Sequence, residues 1–378
     1  MRNSTFCKVS IVIVIALYTI FIISQFMYGT YTAGGSDQQA ELMMMQPPHL
    51  KKNRIFKYIP APVEQYFMDN MVTLGYDKEA DPMTCTVWTD PKTTNPSVYN
   101  MLQSYASDLV QYTRAVANFE KIPNILKTIK ENSQNQNDVC KKLRLHPDGL
   151  QGLFPSNQLS YSKLGYIEPL TPPMRSHQFC LDEEYLLTID YLVHDFEAMC
   201  QMLRPTSRII LIDMGASLDF HGTNIPIIEL MTLYEKFGFQ FEHIYAFEVT
   251  PTEPDHVYQI LPEKYIPSYH WINVGVSKEK GHKINPLHSL LKTFDEDDLV
   301  LVKLDIDTPS IEVPLAKQIL EDEDGIYSKI VDQFYFEHHV HLGDLAPFWN
   351  ETMIGSIKDS FELFHGLRKK GIPAHFWP

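Results

Sequence analysis

Five short apolar runs alternate with helical patterns along the second half of this chain, and polar residues or glycine follow them. The runs are Ile209–Met214, His243–Phe247, Trp271–Val276, Leu299–Ile306 and Gln333–Val340. Short apolar runs without polar alternation are typical of parallel strands, which are buried on both faces. Strands that alternate with helices indicate βαβ units. The pattern therefore predicts an α/β fold with a doubly wound parallel sheet.

Apolar residues at helical spacing mark the segments around these runs. Leu181–Leu203 has the strongest such pattern, and Pro226–Phe237 ends just before Gly238, as suits a helix C-terminus. Two more helices are predicted at Val98–Phe119 and Ile122–Lys130. Residues 63–180 are thus expected to be irregular but mostly helical.

An uncharged segment, Val9–Met27, lies near the N-terminus. A helix of about 19 residues roughly covers the ~30 Å hydrocarbon core of a bilayer. A cleaved signal peptide would have a shorter apolar stretch and a small-x-small cleavage site. Arg2 and Lys8 precede the segment, and no positive charge follows until Lys51, which keeps the N-terminus cytosolic. We expect a single-pass type II membrane protein of the Golgi or endoplasmic reticulum, with its globular part in the lumen.

Composition divides the chain into five parts. Residues 1–8 form a cytosolic tail, 9–27 a transmembrane signal anchor, and 28–62 a stem rich in Gly, Ser, Gln, Met and Pro. Residues 63–180 form an irregular, mostly helical N-terminal cap region. It either only covers the sheet domain or also shapes a substrate pocket. Residues 181–378 form the sheet domain.

Cysteine usage agrees with this topology. Cys7 precedes the anchor, whereas four cysteines follow it in an oxidising lumen, where an even number permits two disulfides. The four are Cys85, Cys140, Cys180 and Cys200. Three pairings are open, and Cys200, on an apolar helix face, could instead be a buried thiol. The sequon Asn350-Glu351-Thr352 predicts a luminal glycosylation site.

The strand ends supply the first set of candidate site residues, because ligands of open α/β sheets bind beyond the carboxyl ends of the strands. A glycine after the first strand permits a sharp turn and the close approach of a ligand to the backbone. Glu248, after the second strand, is placed to hold ribose hydroxyls by charge-assisted hydrogen bonds. The predicted cofactor-binding residues are Asp213, Gly215, Ala216, Ser217, Glu248 and Asn273.

Charged residues alternate at the end of the fourth strand. Lys303, Asp305 and Asp307 share one face by the period of two, and burying three charges is costly unless they pair or bind a ligand. We therefore predict catalytic residues here: Lys303, Asp305 and Asp307, joined by His339 from the fifth strand.

Histidines cluster at the end of the fifth strand, where Glu337, His339 and His341 share one face. A neutral His339 could act as a general base with Asp305 orienting it. The main expectation is a site without metal. The alternative is a divalent metal held by Asp305, Asp307, His339 and His341. A strand end whose histidines only make structural hydrogen bonds is the third interpretation.

The motifs in order are LIDMGAS, IYAFEVTP, NVGVS, LVKLDID and DQFYFEHH, all within residues 181–378. This ordered set resembles the FkbM-type methyltransferases, including relatives anchored in the secretory pathway. The resemblance implies a Rossmann-like fold, S-adenosyl-L-methionine as cofactor and methylation of a hydroxyl oxygen. It places Asp213, Gly215 and Ala216 beside the methionine part of the cofactor. It also implies that Glu248 holds the ribose and that Asp305 lies near the methyl group and the acceptor.

Two stretches depart from that family. The chain reads SLD at residues 217–219, where the family usually has Asn-x-Gly, and DIDTPS at 305–310, where it usually has Asp-x-Glu-Gly-x-Glu. The second departure lies at the predicted acceptor side of the site.

O-methyl transfer is the expected reaction. It needs in-line positioning of the acceptor and a base for the hydroxyl proton. His339, Asp305 and Asp307 are the available bases, while Lys303 would orient a carboxylate. With 32 Lys+Arg and 47 Asp+Glu, the formal net charge of −15 argues against a nucleic-acid partner. A hydroxyl on a carbohydrate, a glycoconjugate or a small molecule is the expected acceptor.

Two other functions fit parts of the sequence. A type II Golgi glycosyltransferase also has an anchor, a stem and a luminal domain, and Asp305 and Asp307 would be its metal-binding Asp-x-Asp motif. An inactive scaffold that keeps the fold would bind neither S-adenosylmethionine nor a nucleotide sugar.

Overall fold

The structure, a computed structural model, describes residues 58–145, 165–217, 225–349 and 352–378. The predicted anchor (9–27), most of the predicted stem and two residues of the sequon, Asn350 and Glu351, lie outside the described residues. None of the helices in the described ranges is long and apolar enough to cross a membrane. Residues 54–378 form one compact unit.

A six-stranded sheet is the centre of that unit. Its strands are β1 (Ile209–Met214), β2 (His243–Phe247), β3 (Tyr269–Ile272), β4 (Leu299–Leu304), β5 (Val331–Phe336) and β6 (Ala374–Phe376). Their order is β3-β2-β1-β4-β5-β6, and all neighbours are parallel. The predicted parallel α/β sheet is confirmed, and β1 and β2 have the predicted bounds.

The other strands differ from their predicted bounds. β3 lies earlier than predicted, β4 ends at Leu304 rather than Ile306, and β5 ends at Phe336 rather than Val340. β6 was not predicted, because its three residues are too few to show a period. All three residues of β6 are buried, and this burial stabilises a strand that is otherwise very short.

Thirteen α-helices lie in the described ranges. They are α1 (Pro62–Asn70), α2 (Thr86–Thr89), α3 (Pro96–Asn118), α4 (Ile125–Glu131), α5 (Gln136–Lys141), α6 (Phe196–Met202), α7 (Pro226–Lys236), α8 (Pro254–Ile260), α9 (Pro286–Ser289), α10 (Pro309–Leu320), α11 (Ile326–Ile330), α12 (Ala346–Trp349) and α13 (Ile357–Lys369). The predicted helices at 98–119, 122–130 and 226–237 correspond to α3, α4 and α7, with ends shifted by at most three residues.

The long helix predicted over Leu181–Leu203 is wrong. Within it, only a 3₁₀ turn at Glu183–Tyr185 and the short α6 are helical. Backbone N–H groups before α6 donate to side chains instead: that of Val193 to Glu168 at 2.9 Å, and that of His194 to the Tyr112 hydroxyl at 3.0 Å. These contacts outweigh the local periodicity, although the apolar residues of the stretch are still buried.

Helices cover both faces of the sheet. Neighbouring residues of a strand point to opposite faces, so Tyr335 and Phe336 mark the two sides of β5. On one side, Tyr335 shares a 2.8 Å hydrogen bond with Tyr234 of α7. On the other, Phe364 of α13 packs on Phe336 and Phe376, with ring centroids 6.1 and 4.2 Å apart. Both faces of the sheet are therefore buried, as the apolar runs require.

Two disulfides tie the region before the sheet to itself and to α6. They join Cys85 to Cys180 and Cys140 to Cys200. The two predicted disulfides thus form with one of the three open pairings. The alternative of a free buried thiol at Cys200 is wrong, since that sulfur is bonded to Cys140.

Arg368 of α13 connects that region to the sheet. Its guanidinium is fully buried. It donates to the Tyr58 hydroxyl at 2.9 Å and to the Glu168 carboxylate at 3.1 Å, and it lies 3.5 Å from Glu64. It also donates to the carbonyl of Ala374 in β6 at 2.8 Å. Segments about 300 positions apart in the sequence, as Tyr58 and Arg368 are, therefore share one buried polar network.

Candidate functional site

The strand order creates a cleft between β1 and β4. From β1 the chain builds outward through β2 and β3, then crosses to β4 on the other side of β1. Ligands of open α/β sheets bind beyond the carboxyl ends at such a reversal. A cavity of about 920 Å³ lies there, and residues after β1, β2, β4 and β5 line it. Its volume is in the range of small-molecule sites, ~300–1,000 Å³.

Most of the predicted site residues line this cavity. They are Gly215, Ser217, Glu248, Lys303, Asp305, Asp307 and His339. Three other candidates, Asp213, Ala216 and Asn273, do not line it. Asp213 and Ala216 are buried beneath it. Asn273 braces the loop after β2 instead, because its amide donates to the carbonyls of Glu248 and Thr250, each at 2.7 Å.

Lys303 is held by three acceptors. The parallel register sets it beside Asp213 of β1. Its ammonium lies 3.1 Å from an Asp213 oxygen, 3.0 Å from an Asp305 oxygen and 2.8 Å from the Gly215 carbonyl. Burial alone would lower the pKa of Lys303, but the two carboxylates outweigh it and raise that pKa. Lys303 is therefore a charged positioning residue for Asp305, as the sequence suggested.

Gly215 lets two backbone segments come together. Its φ is +92°, and a Cβ there would lie 1.5 Å from the Asp305 carbonyl oxygen. The N–H groups of Gly215 and Ala216 both donate to the Phe247 carbonyl, at 2.9 and 3.0 Å. These two donors are thus used within the protein. The glycine is required by the approach of the chain's own backbone.

Asp305 lies between the sheet and the cavity. Besides Lys303, the indole N–H of Trp377 donates to its carboxylate at 3.1 Å. Burial raises the pKa of Asp305 well above its usual value, although Lys303 opposes the shift. Trp377 follows β6, a strand too short to be predicted, so its place in the site could not be predicted either.

Glu248 forms the cavity wall after β2. It is buried, and one of its carboxylate oxygens accepts a hydrogen bond from the N–H of Thr250 at 2.6 Å. With Asn273 bracing the same loop, the carboxylate is fixed at the end of β2. The carboxylate therefore lies at the strand end where the sequence placed it, and it lines the cavity.

A second cluster consists of Asp307, Glu337 and His339. His339 Nε2 lies 3.0 Å from Glu337 Oε2 and 3.7 Å from Asp307 Oδ1. One ligand atom from each residue lies within 4.8 Å of the others. The predicted metal set is only partly assembled, since His341 contacts Asp81 at 2.9 Å. Asp305, its fourth member, is engaged by Lys303 and Trp377, and Glu337 completes the cluster.

Glu337 is fixed by groups that the sequence did not identify. Arg175 forms a buried ion pair with Glu337 Oε1, and the Trp349 indole N–H donates to the same oxygen at 2.9 Å. Burial opposes ionisation of Glu337, but the positive charge of Arg175 and the hydrogen bond from the Trp349 indole act against burial, and the pKa of Glu337 is lowered. Arg175 lies in the predicted cap region and lines the cavity, so that region contributes to the site.

The charges of the cavity lining are mainly negative. Among the described lining residues, the acidic side chains are Glu248, Asp305, Asp307 and Glu337. The two Lys/Arg cations of that lining, Arg175 and Lys303, are already paired with carboxylates. The field in the cavity therefore favours a cationic ligand or group.

Comparison with known proteins gave no match among family models, curated proteins or solved structures.

Proposed function

We propose that this protein is an S-adenosyl-L-methionine-dependent methyltransferase that methylates a hydroxyl oxygen on a carbohydrate or glycoconjugate in the secretory pathway. The observation that carries the proposal is the acidic cavity at the β1/β4 reversal, with Glu248 fixed at the end of β2. In Rossmann-like folds an acidic residue at that position binds the ribose hydroxyls of a nucleoside cofactor.

The charge of the cavity supports a sulfonium cofactor over a diphosphate. S-adenosylmethionine carries a positive charge at the reacting sulfur, which the carboxylates complement. A pyrophosphate is usually bound by free N–H groups at a glycine turn and helix N-terminus. Here the N–H groups of Gly215 and Ala216 donate to Phe247, and α7 begins with Pro226, which has no N–H. These features disfavour a dinucleotide whose pyrophosphate would be bound by the turn after β1.

The reaction requires a base beside the methyl group. The acceptor oxygen attacks the methyl carbon as the carbon–sulfur bond breaks, and the hydroxyl proton leaves to that base. Asp305, Asp307 and His339 line the cavity and are the available bases. Lys303 and Trp377 hold the Asp305 carboxylate in position, which supplies the fixed geometry that in-line transfer needs.

The glycosyltransferase alternative uses Asp305 and Asp307 on one metal ion. Asp305 is bonded to Lys303 and Trp377, whereas Asp307 faces Glu337 and His339. The two carboxylates thus have different partners, which favours methyl transfer over this alternative.

Calorimetric titration tests the proposal. The full chain, kept in mild detergent because of its apolar segment 9–27, is titrated with S-adenosylhomocysteine and separately with UDP plus Mn²⁺. We expect S-adenosylhomocysteine to bind. Glu248→Ala should weaken binding at least about tenfold, because charge-assisted hydrogen bonds are worth ~1.5–3 kcal/mol each. Glu296→Ala, an exposed acid in another loop, is the matched control.

Three outcomes would overturn the proposal. Binding of UDP–Mn²⁺ alone would favour sugar transfer, and silence from both ligands would favour a scaffold. Equal affinity of the Glu248→Ala and Glu296→Ala variants for S-adenosylhomocysteine would show that Glu248 does not hold the ribose.

A further inference from the structure

We propose that Asp307, Glu337 and His339 bind a divalent cation. The cluster lines the cavity, and its three ligand atoms converge. This inference concerns ion binding itself and does not depend on methyl transfer.

The hydrogen bonds of His339 leave one ring nitrogen without a donor partner. The Thr352 hydroxyl donates to the Trp349 carbonyl at 2.5 Å. Its proton is therefore committed, so Thr352 Oγ1 must accept from His339 Nδ1–H at 2.6 Å. In the neutral ring this places the lone pair on Nε2. That nitrogen is buried and has no hydrogen-bond partner among the described residues.

The surroundings of His339 Nε2 are negative. Glu337 Oε2 lies 3.0 Å away and Asp307 Oδ1 lies 3.7 Å away. A lone pair that faces two carboxylates is repelled by both, and burial strengthens that repulsion. A cation between the three atoms would replace this repulsion by attraction to all three. Two ligand atoms at right angles on an ion with ~2.1 Å bonds are ~3 Å apart. The separation of His339 Nε2 and Glu337 Oε2 already has this value, so only Asp307, whose side chain is half-exposed, needs to move closer.

Outer hydrogen bonds orient the ligands as they do in known metal sites. Arg175 and Trp349 occupy Glu337 Oε1, which leaves Oε2 for the ion. Thr352 fixes the His339 ring, which also stacks on Trp349 with ring centroids 4.6 Å apart.

The ligand set indicates the class of ion. One imidazole nitrogen with two carboxylates suits Mn²⁺, Fe²⁺ or Zn²⁺, whereas Ca²⁺ prefers six to eight oxygen ligands. Three protein ligands leave coordination positions open toward the cavity. If the proposed methyl transfer holds, this cation would bind the acceptor oxygen and lower the pKa of its hydroxyl. The acceptor would then be an alcohol that can coordinate a metal, such as a sugar with adjacent hydroxyls.

Mn²⁺ binding to the full chain tests the site. The protein is treated with a chelator, desalted, and titrated with Mn²⁺ while free Mn²⁺ is followed by electron paramagnetic resonance. We expect one ion per chain at this site, with binding weakened at least about tenfold in Asp307→Asn, since even outer-shell changes cost 10–100-fold. Asp307 has a left-handed φ of +54°, which asparagine also tolerates, so this variant should fold normally. Asp324→Asn is the control, because Asp324 is an exposed acid in the loop between α10 and α11, outside the cluster.

The results separate this inference from the proposed function. No bound Mn²⁺, or equal Mn²⁺ affinity in Asp307→Asn and the control, would overturn the cation site. Mn²⁺ binding without S-adenosylhomocysteine binding would support the site and count against the methyltransferase. S-adenosylhomocysteine binding by a chain that binds no ion would do the reverse.

Discussion

Lys303→Met should destabilise the protein strongly, because it leaves two carboxylates buried without their cation. Lys303 and Asp213 are 4% and 1% exposed, so water cannot replace the lost contact. Breaking a buried ion pair from one side costs about 3–5 kcal/mol. Methionine keeps most of the side-chain volume, so little of that cost would come from a cavity. For a unit the size of residues 54–378 the unfolding entropy is roughly 0.7 kcal/mol per kelvin, which converts the loss to a fall in Tm of about 4–7 °C.

The pH dependence gives the prediction a second, independent readout. Without Lys303, the burial that already raises the pKa values of Asp213 and Asp305 acts unopposed. A buried acid whose pKa is higher in the folded than in the unfolded protein destabilises the fold progressively as the pH rises from the unfolded pKa to the folded pKa. The loss of stability in Lys303→Met should therefore be smaller at pH 5 than at pH 8.

Differential scanning fluorimetry and urea unfolding at both pH values measure the effect. Lys280→Met, an exposed lysine, is the matched control, and adding Asp213→Asn to Lys303→Met should recover part of the loss. A Lys303→Met variant within 1 kcal/mol of the control, or a defect independent of pH, would refute the reasoning from the buried ion cluster.

Two further predictions concern stability. Burial raises the pKa of Asp195 to about 6 against its hydrogen bond from the Ala198 N–H. Wild type should therefore lose up to about 3 kcal/mol relative to Asp195→Asn, which keeps the cap, as the pH rises from 4 to 7 in urea titrations; parallel pH profiles would contradict this. Replacing Cys85 and Cys180 by serine opens a cross-link between positions 95 apart. It should cost about 2–5 kcal/mol in urea unfolding, and a loss below about 1 kcal/mol would contradict the loop-entropy estimate.

The strands differ in how well the sequence predicted their bounds, depending on whether their buried residues are apolar or are polar with distant hydrogen-bond partners. β1 is fully buried and β2 is buried at three of its five residues, and both consist mostly of apolar residues, so their bounds were predicted. β5 begins with Val331, and buried Asp332 and Gln333 follow it. The side chain of Asp332 accepts a hydrogen bond from the N–H of Val300 at 2.9 Å, and that of Gln333 contacts His375 at 2.8 Å. Because distant partners satisfy these polar groups, hydrophobicity alone misplaces the start of the strand.

The same distinction applies to the site. Residues directly after β1, β2 and β4 were found, because the fold class fixes where strand ends meet. His341 does not lie with Glu337 and His339, because β5 ends at Phe336. The alternation of side chains between two faces does not continue beyond the last paired residue of a strand. Arg175 and Trp377 reach the cavity from irregular segments, and Trp349 reaches it from the short helix α12. These segments are too irregular or too short to show a periodic pattern in the sequence.

The buried guanidinium of Arg368 has a consequence for the order of folding. Its partners Tyr58, Glu64 and Glu168 are synthesised long before it, so the early helices cannot complete their polar contacts until α13 has formed. Such distant contacts raise the contact order and slow folding. Until then, Glu64 and Glu168 lack their cation, and the early region would remain open to chaperones and to disulfide exchange. Formation of the native cysteine pairs and completion of the sheet should therefore be late, coupled events.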